Sequence, residues 1–171
     1  MILDDCIRIL FKNDYDLRGG MVVSPDAQID EQVAFLTDGL KRAGIKLTHQ
    51  RLEICREIAV SHDHPDAETV FRGVRTRVPT ISLDTVYRTL HTLLDLGLIG
   101  TLGIPSERMR FDGNSTRHHH YVCTQCGAVR DFTCEPFDHL PVPENLSALG
   151  EVDTIQVEFR GVCRQCSVKK T

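Results

Sequence analysis

The sequence lacks a long apolar run, an apolar N-terminal segment and an excess of positive charge. No stretch approaches the roughly 20 apolar residues that a membrane-spanning helix requires, so we expect no membrane partner. A secretory signal needs an apolar core, and in this N-terminal segment Asp4, Asp5 and Asp14 interrupt the apolar residues. We therefore expect a cytoplasmic protein, in which the seven cysteines are metal ligands or free thiols rather than disulfides.

The net charge of −4 argues at first against a nucleic-acid partner. Residues 41–117, however, contain 12 Lys and Arg against 9 Asp and Glu, so this segment carries +3 and the remainder −7. A segment with this modest positive charge is weak evidence for DNA binding by itself. The uneven distribution of charge removes the objection to a nucleic-acid partner but is not evidence for one.

The N-terminal extension, residues 1–27, has no sustained periodicity over its first 20 positions. Gly19 and Gly20 stand directly before Met21. Two interpretations stay open. Translation begins at Met21, or the first 20 residues form an amphipathic arm with the apolar side chains Ile2, Leu3, Ile7, Leu10 and Phe11.

Four segments between residues 28 and 96 have the apolar spacing of helices. Gly44 ends the first segment and Gly97 ends the fourth, each as a left-handed residue after a helix. The segments are 28–43, the run from the N-cap Thr48 to Ala59, the run from Ala67 to Val74, and 83–96 with Ser82 as its N-cap.

Two short strands, 98–102 and 108–111, follow the helices, with a turn at 103–107 between them. Helices followed by a hairpin are typical of a winged helix, in which the last helix enters the major groove of DNA. The alternative is a helical bundle with an appended hairpin. We predict an α+β fold whose residues 28–112 form a winged-helix DNA-binding domain and a hinge.

Residues 113–171 are predicted to form a small α/β dimerisation and metal-binding domain. Strands are expected at 121–122, 128–132 and 154–159. Three prolines, at positions 136, 141 and 143, leave room only for a short helix near 144–149. So small a domain buries little apolar surface, so we expect a homodimer.

Two CxxC pairs carry the strongest chemical signal, and 36 residues separate Cys123/Cys126 from Cys163/Cys166. Zn²⁺ favours four thiolates in a tetrahedron, and a CxxC turn presents two sulfurs at once. Four thiolates leave no open position, so the predicted role is structural. The alternative is two redox dithiols.

The other three cysteines lie outside the pairs. Cys55 lies on an apolar helix face and is a predicted core residue, and Cys6 and Cys134 receive no role.

Three consecutive histidines precede the first cysteine pair. On a strand, His118 and His120 share one face while His119 takes the other. Imidazoles bind many transition metals, and nearby carboxylates shift the preference towards Fe²⁺ or Mn²⁺; Asp112 and Asp131 are the candidates. The alternative is a run of solvated histidines.

A metal-dependent hydrolase with a zinc-ribbon module is the competing function class. It needs a general base beside an open metal position, and no glutamate in the histidine cluster serves. We therefore expect no enzymatic activity.

The chain resembles the ferric uptake regulator family over residues 28–168. Within that family it is most similar to the peroxide-sensing PerR branch, because aspartate stands at positions 112 and 131 where iron-sensing members usually have glutamate. The motifs that carry the resemblance are LTHQR (47–51), HPDAETVF (64–71), SLDTVYRTL (82–90), RMRFD (108–112), HHHYVCTQCGAV (118–129), DF (131–132) and GVCRQC (161–166).

The resemblance implies two metal sites. On spacing alone His64 is a loop residue beside a helix start, and only the resemblance makes it a ligand. A further metal site of some members is expected to be absent, since Arg117 and Ile155 occupy two of its positions. His119 is an additional donor beside the regulatory site, and it either tunes the metal or has no effect. The implied ligands are Cys123, Cys126, Cys163 and Cys166 for structural Zn²⁺, and His64, Asp112, His118, His120 and Asp131 for regulatory Fe²⁺ or Mn²⁺.

The resemblance further implies a homodimeric repressor of a palindromic double-stranded operator. Hydrogen peroxide would be sensed through iron-catalysed oxidation of His64 or His118. The alternative is an iron-, zinc- or manganese-level sensor of the same family. Tyr87 and Arg88 are the expected base contacts, although Tyr87 fits a core aromatic as well. The expected phosphate contacts are Lys46, Thr48 and Arg51.

Overall fold

The computed structural model describes residues 8–9, 25–61, 63–102 and 109–169. These residues fall into two compact units: residues 25–115 form one, and strand β1 (Arg8–Ile9) with residues 116–169 forms the other. The predicted α+β class is confirmed. The proposed amphipathic arm (apart from β1), the possible start at Met21 and the turn at 103–107 lie outside the described residues. Across the described ranges, no helix is both long and apolar enough to span a bilayer.

Four helices open the first unit, and the predicted N-caps and C-terminal glycines are confirmed, whereas the first helix begins at Pro25 and not at 28. The Thr48 hydroxyl accepts the N–H of Arg51 at 3.3 Å, and the Ser82 hydroxyl accepts that of Thr85 at 3.1 Å. After the first and fourth helices the chain turns at Gly44 (φ +73°) and at Gly97 (φ +65°). The helices are α1 (Pro25–Arg42), α2 (His49–Val60), α3 (Ala67–Arg75) and α4 (Leu83–Asp95).

The hairpin that follows belongs to the core of this unit. Strands β2 (Gly100–Leu102) and β3 (Arg110–Asp112) pair antiparallel, and the Phe111 ring between them and the helices is fully buried. A fully buried aromatic in the hairpin argues against the helical bundle with an appended hairpin, since the unit would lose part of its core without it. The helices contribute Leu36, Leu40, Ile54, Ile58, Val70, Val74, Val86, Leu90 and Leu93 to the same cluster.

A buried carboxylate joins α2 to the loop before α4. The Glu53 side chain is 4% exposed and accepts hydrogen bonds of 2.6 Å from both Arg77 and Arg56. Arg77 also donates to Glu57 at 2.7 Å. Burial alone would raise the pKa of Glu53, but the hydrogen bonds from Arg77 and Arg56 outweigh it and hold the pKa below its usual value. The network therefore favours the ionised carboxylate.

A four-stranded sheet in the order β1-β5-β4-β6 forms the centre of the second unit. Strand β4 (His119–Cys123) pairs antiparallel with β5 (Val129–Thr133) and parallel with β6 (Glu158–Gly161). Strand β1 adds to the free edge of β5. The helical elements are α5 (Glu135–Asp138), a 3₁₀ turn at Glu144–Ala148 and α6 (Arg164–Val168).

Two predictions for the second unit were wrong in detail. The strand expected at 154–159 is β6, at Glu158–Gly161, and residues 151–157 have no regular structure. Val157, just before β6, still accepts the N–H of His120 at 3.0 Å, so the segment contacts β4 without extending the regular ladder. Pro136 was treated as a break, but it lies in the first turn of α5, where its missing N–H has no intrahelical partner to lose.

Candidate metal centres and nucleic-acid surface

The four CxxC cysteines lie together at one end of the sheet. Their Sγ atoms are all within 4.8 Å of one another, and those of Cys126 and Cys163 are 3.9 Å apart. Gly127, at φ +70°, turns the chain after the first pair, and the Cys163 N–H donates to the Cys123 sulfur at 3.3 Å. One cluster of four sulfurs argues for a metal site over two separate redox dithiols.

The electrostatics of the cluster fit Zn²⁺. Backbone N–H groups, chiefly that of Cys163, lower the pKa of Cys123 to about 6, whereas the neighbouring Cys126 and Cys163 sulfurs raise the pKa of Cys166 to about 12. Four crowded sulfurs become thiolates together only beside a compensating cation, and a thiolate-binding divalent ion supplies that charge. The donor set leaves no position for a substrate.

A second group of ligand atoms converges on one face of the β4–β5 pair. His118 Nε2 lies 2.9 Å from His120 Nε2, and Asp131 oxygens lie 3.9 Å and 3.7 Å from these two nitrogens. The register of the sheet places His120 opposite Asp131. Both imidazoles are buried. We call His118, His120 and Asp131 the sheet half-site.

A backbone contact prepares His118 as a ligand. Its Nδ1 lies 2.7 Å from the carbonyl oxygen of Thr116, so Nδ1 donates its proton there and the ring lone pair is on Nε2, the nitrogen that faces His120. A hydrogen bond from the other ring nitrogen is the usual way in which proteins fix the tautomer of a metal-binding histidine. Thr116 acts through its carbonyl, which any residue type provides, so no sequence signal could have identified it.

The other two predicted regulatory ligands meet in the winged-helix unit. His64 Nε2 lies 3.5 Å from Asp112 Oδ1, and both side chains are buried. The Pro65 carbonyl accepts the N–H of Phe111 at 3.0 Å, which holds the His64 loop against β3. Asp112 also accepts the N–H of Asn114 at 2.9 Å. We call His64 and Asp112 the wing half-site.

His64 has an unusual backbone conformation. Its φ is +48°, and it is the one non-glycine residue with positive φ within the described ranges. This region is unfavourable for residues with a Cβ and costs about 1–3 kcal/mol. Such strain is common at functional sites, where a side chain must point in a direction that relaxed backbone does not offer.

His119 lies on the opposite face of β4, as strand alternation predicts. Its ring is fully buried, and Nδ1 accepts the N–H of Val157 at 3.3 Å. Nε2 lies 3.4 Å from an oxygen of Asp138. Burial lowers the pKa of His119, and Asp138 opposes this shift only in part, so the ring is neutral at neutral pH. Sequence reasoning missed both Asp138 and Val157.

Helix α4 is the helix predicted to enter the major groove of DNA. One face of it buries Val86, Leu90 and Leu93, and the opposite face is exposed. Tyr87 is 41% exposed, which argues against its being a core aromatic. The Arg88 side chain is 80% exposed and 3.7 Å from Asp84, one turn earlier. Both side chains are therefore accessible to a ligand.

The predicted phosphate contacts lie at the start of α2. Thr48 is the N-cap of this helix, and Arg51 donates to the Lys46 carbonyl at 2.5 Å. Thr48 and Arg51 therefore have structural roles of their own. Lys46 is exposed and is the simplest candidate of the three.

Comparison with known proteins agrees with these features. Residues 42–148 match the model of the "Ferric uptake regulator family". The chain is 31% identical over 143 residues to the peroxide-responsive repressor PerR of Staphylococcus epidermidis, covering 84% of this chain and 93% of that protein. It is 30% identical over 148 residues to PerR of Staphylococcus aureus strain Mu50, covering 86% and 97%.

Solved structures share the fold. The ferric uptake regulator Fur of Helicobacter pylori superposes with a TM-score of 0.60 at 20% identity, over 81% of this chain and 93% of that one. The peroxide stress regulator of Campylobacter jejuni superposes with a TM-score of 0.58 at 28% identity, over 77% and 98%. The chain therefore belongs to the ferric uptake regulator family, whose members are dimeric, DNA-binding, metal-dependent transcriptional repressors rather than enzymes.

Proposed function

We propose that the protein is a peroxide-sensing repressor in which one regulatory Fe²⁺ or Mn²⁺ ion is held jointly by the sheet half-site and the wing half-site. The observation that carries this proposal is the convergence of His118, His120 and Asp131 on one buried point of the sheet. Two imidazoles and a carboxylate suit Fe²⁺ and Mn²⁺, and His64 with Asp112 supplies the same two donor types. The cysteine cluster holds structural Zn²⁺.

The five ligands come from two parts of the chain, so binding of the metal ion can control how the protein binds its operator. His64 and Asp112 belong to the winged-helix unit, whereas the sheet half-site belongs to the unit of the sheet. Ligation by both half-sites fixes one orientation of α4 in each subunit, and a dimer then presents two α4 helices at one spacing to a palindromic operator. Metal binding and operator binding strengthen each other by linkage.

Peroxide sensing is supported by the PerR relatives at about 30% identity and by aspartate at both carboxylate positions. Bound Fe²⁺ supplies the redox chemistry that activates hydrogen peroxide. In the net reaction one peroxide oxygen bonds to a ring carbon of His64 or His118, the hydrogen of that carbon moves to a ring nitrogen, and water leaves. The imidazole loses two electrons, and peroxide gains them.

The oxidised ring binds the metal ion less well, because its new carbonyl withdraws electron density from the nitrogens. The two half-sites then separate and the operator is released. Mn²⁺ does not promote this reaction readily, so the manganese form represses but senses peroxide poorly.

A second candidate is a metal-level sensor, and a solved relative favours it. The "zinc-bound manganese uptake regulator" has a TM-score of 0.56 and 25% identity over 75% of this chain and 98% of its own. In that case occupancy alone, by Fe²⁺, Zn²⁺ or Mn²⁺, controls operator binding and no histidine is consumed.

Mass spectrometry separates the two candidates. The Fe²⁺-loaded protein is treated with a small excess of peroxide, digested and fragmented. A single added oxygen on His64 or His118 supports peroxide sensing, and the exposed His139, which belongs to neither half-site, serves as the internal control. Unmodified His64 and His118 after full treatment would contradict the peroxide mechanism and favour the metal-level sensor.

A further inference from the structure

We propose that His119 is a positioning residue, which orients His118 and His120 towards the metal ion without touching it. This inference rests on the proposed regulatory site and adds a residue to it. Its basis is the construction of the sheet on the face opposite the half-site.

Both nitrogens of the His119 ring face polar groups. Nδ1 accepts the N–H of Val157 at 3.3 Å, at the point where the chain enters β6. In the neutral ring the proton is therefore on Nε2, which lies 3.4 Å from Asp138 on α5. Arg117 lies 3.8 Å from the same carboxylate oxygen. The ring thus connects β4 to α5 and to the segment before β6. Rotation of the ring about its side-chain bonds would break at least one of the two contacts.

Aromatic rings enclose the imidazole on its other sides. The ring centroid of His119 lies 5.4 Å from that of Phe132 and 5.7 Å from that of Phe137. Phe159 completes the group at 5.7 Å from both Phe132 and Phe137. We call these four rings the aromatic box. They come from β4, β5, α5 and β6, so the box ties together four elements of the sheet unit.

The members of the box are the sequence neighbours of the ligands. His119 stands between His118 and His120, and Phe132 follows Asp131. In the sheet register His119 is opposite Phe132, and His120 is opposite Asp131. Because alternate residues of a strand point to opposite faces, a twist of β4 that moved the two imidazoles would pull His119 out of the box. The box therefore restricts the freedom of the ligands, and such support commonly changes metal affinity about 10–100-fold.

The test compares metal binding by the zinc-loaded full-length protein and its variants, without DNA or peroxide. His119→Phe keeps an aromatic ring in the box and removes both polar contacts. His119→Asn keeps an acceptor at the Nδ1 position for the Val157 N–H. The exposed His139 gives the matched control, His139→Asn. Mn²⁺ affinity is measured by titration, and the ligand geometry by the visible spectrum of a Co²⁺-substituted site.

We expect His119→Phe to bind Mn²⁺ about 10–100-fold more weakly and to change the Co²⁺ spectrum, with zinc content unchanged. His119→Asn should recover much of the affinity, and His139→Asn should equal the wild type. If His119→Phe loses zinc or structure, Asp138→Ala replaces it. This variant leaves the His119 ring and its Val157 contact in place and removes the carboxylate that faces Nε2 and Arg117, and we expect a smaller loss of affinity.

Wild-type affinity and spectrum in folded His119→Phe, or in Asp138→Ala where it replaces that variant, would overturn the role of His119 alone. A wild-type protein that binds no ion beyond zinc would overturn the regulatory site itself and the role of His119 with it.

Discussion

The sheet half-site illustrates how much one residue contributes to selectivity. Asp131 lies within 4 Å of both imidazole nitrogens, at 3.9 Å from His118 and 3.7 Å from His120, and it supplies the one formal negative charge of this trio. A set of imidazoles alone suits Zn²⁺ and Cu²⁺ as well, whereas a carboxylate shifts the preference towards harder ions such as Mn²⁺. The charge of Asp131 is therefore expected to matter more than its size.

We predict that Asp131→Asn weakens Mn²⁺ binding by at least about 10-fold, because the amide keeps the shape of the side chain and removes the charge. Zinc content should stay unchanged. The matched control is Asp153→Asn, an exposed aspartate of the same unit. Calorimetric titration with Mn²⁺ checks the prediction, and equal affinities for the two variants would contradict the proposed ligand role.

At the scale of elements, the winged-helix unit depends on one buried charged network. Glu53 joins α2 to Arg77 of the α3–α4 loop, and the two arginines that hold it are about half exposed. Solvent screens such partly exposed pairs, so the network contributes moderately to stability. Its effect depends on pH because the pKa of Glu53 is held below its usual value in the folded chain.

We predict that Glu53→Gln lowers the free energy of unfolding of this unit by about 1–2 kcal/mol at pH 7. A carboxylate with a depressed folded pKa stabilises fully above its unfolded pKa and loses the effect as the pH falls through the folded value. The difference between variant and wild type should therefore shrink below about pH 4. Urea denaturation at both pH values measures it, with Glu31→Gln, at an exposed glutamate of α1, as the matched control. A pH-independent difference would contradict this account.

Helix α4 and the start of α2 are predicted to contact DNA in different ways. Arg88→Ala should relax base specificity at one operator position, at a cost of about 1–3 kcal/mol. Lys46→Ala should weaken binding to all sequences and reduce the salt dependence. Fluorescence anisotropy on matched and scrambled operators separates these effects. Lys41→Ala, whose lysine pairs with Asp38, is the control, and an unchanged specificity of Arg88→Ala would exclude that contact.

The sequence predicted the elements wherever a local rule governs them. N-caps at Thr48 and Ser82 and the left-handed glycines 44 and 97 depend on neighbouring residues, and all four are confirmed. Strand β6 was placed too early because its limits depend on β4, a tertiary neighbour. The cysteine cluster followed from spacing, but the role of His64 came only from the family resemblance. Thr116, Asp138 and Val157 act through backbone or through distant contacts, for which spacing gives no signal.

At the scale of the whole molecule, the residues directly after the predicted hinge are held to the winged-helix unit. The Gln32 amide of α1 donates to the Gly113 carbonyl, and the Ser115 hydroxyl lies 3.3 Å from the Gln32 side-chain oxygen. A Cβ on Gly113 would come within 2.5 Å of Ile58, so a side chain here would disturb the contact. The domain limits 28–112 and 113–171 remain predictions.

We expect the cysteine cluster to hold the sheet unit together. Cys163→Ser removes one thiolate from a closed site and should abolish stoichiometric zinc and dimer formation, because small zinc units depend on the metal for folding. Cys134→Ala, a buried cysteine outside the cluster, should keep both. Zinc analysis with light scattering measures the outcome. A zinc-free Cys163→Ser that remains a stable dimer would contradict the structural role of the cluster.

The most direct test of the account is operator binding by one zinc-loaded preparation charged with Fe²⁺ or with Mn²⁺, each before and after peroxide. We predict tight binding in both metal forms before peroxide, loss of binding only in the Fe²⁺ form afterwards, and no recovery when fresh Fe²⁺ is added, since the histidine ligand is consumed. Peroxide-resistant binding of the Fe²⁺ form, or full recovery with fresh metal, would contradict the proposed histidine switch.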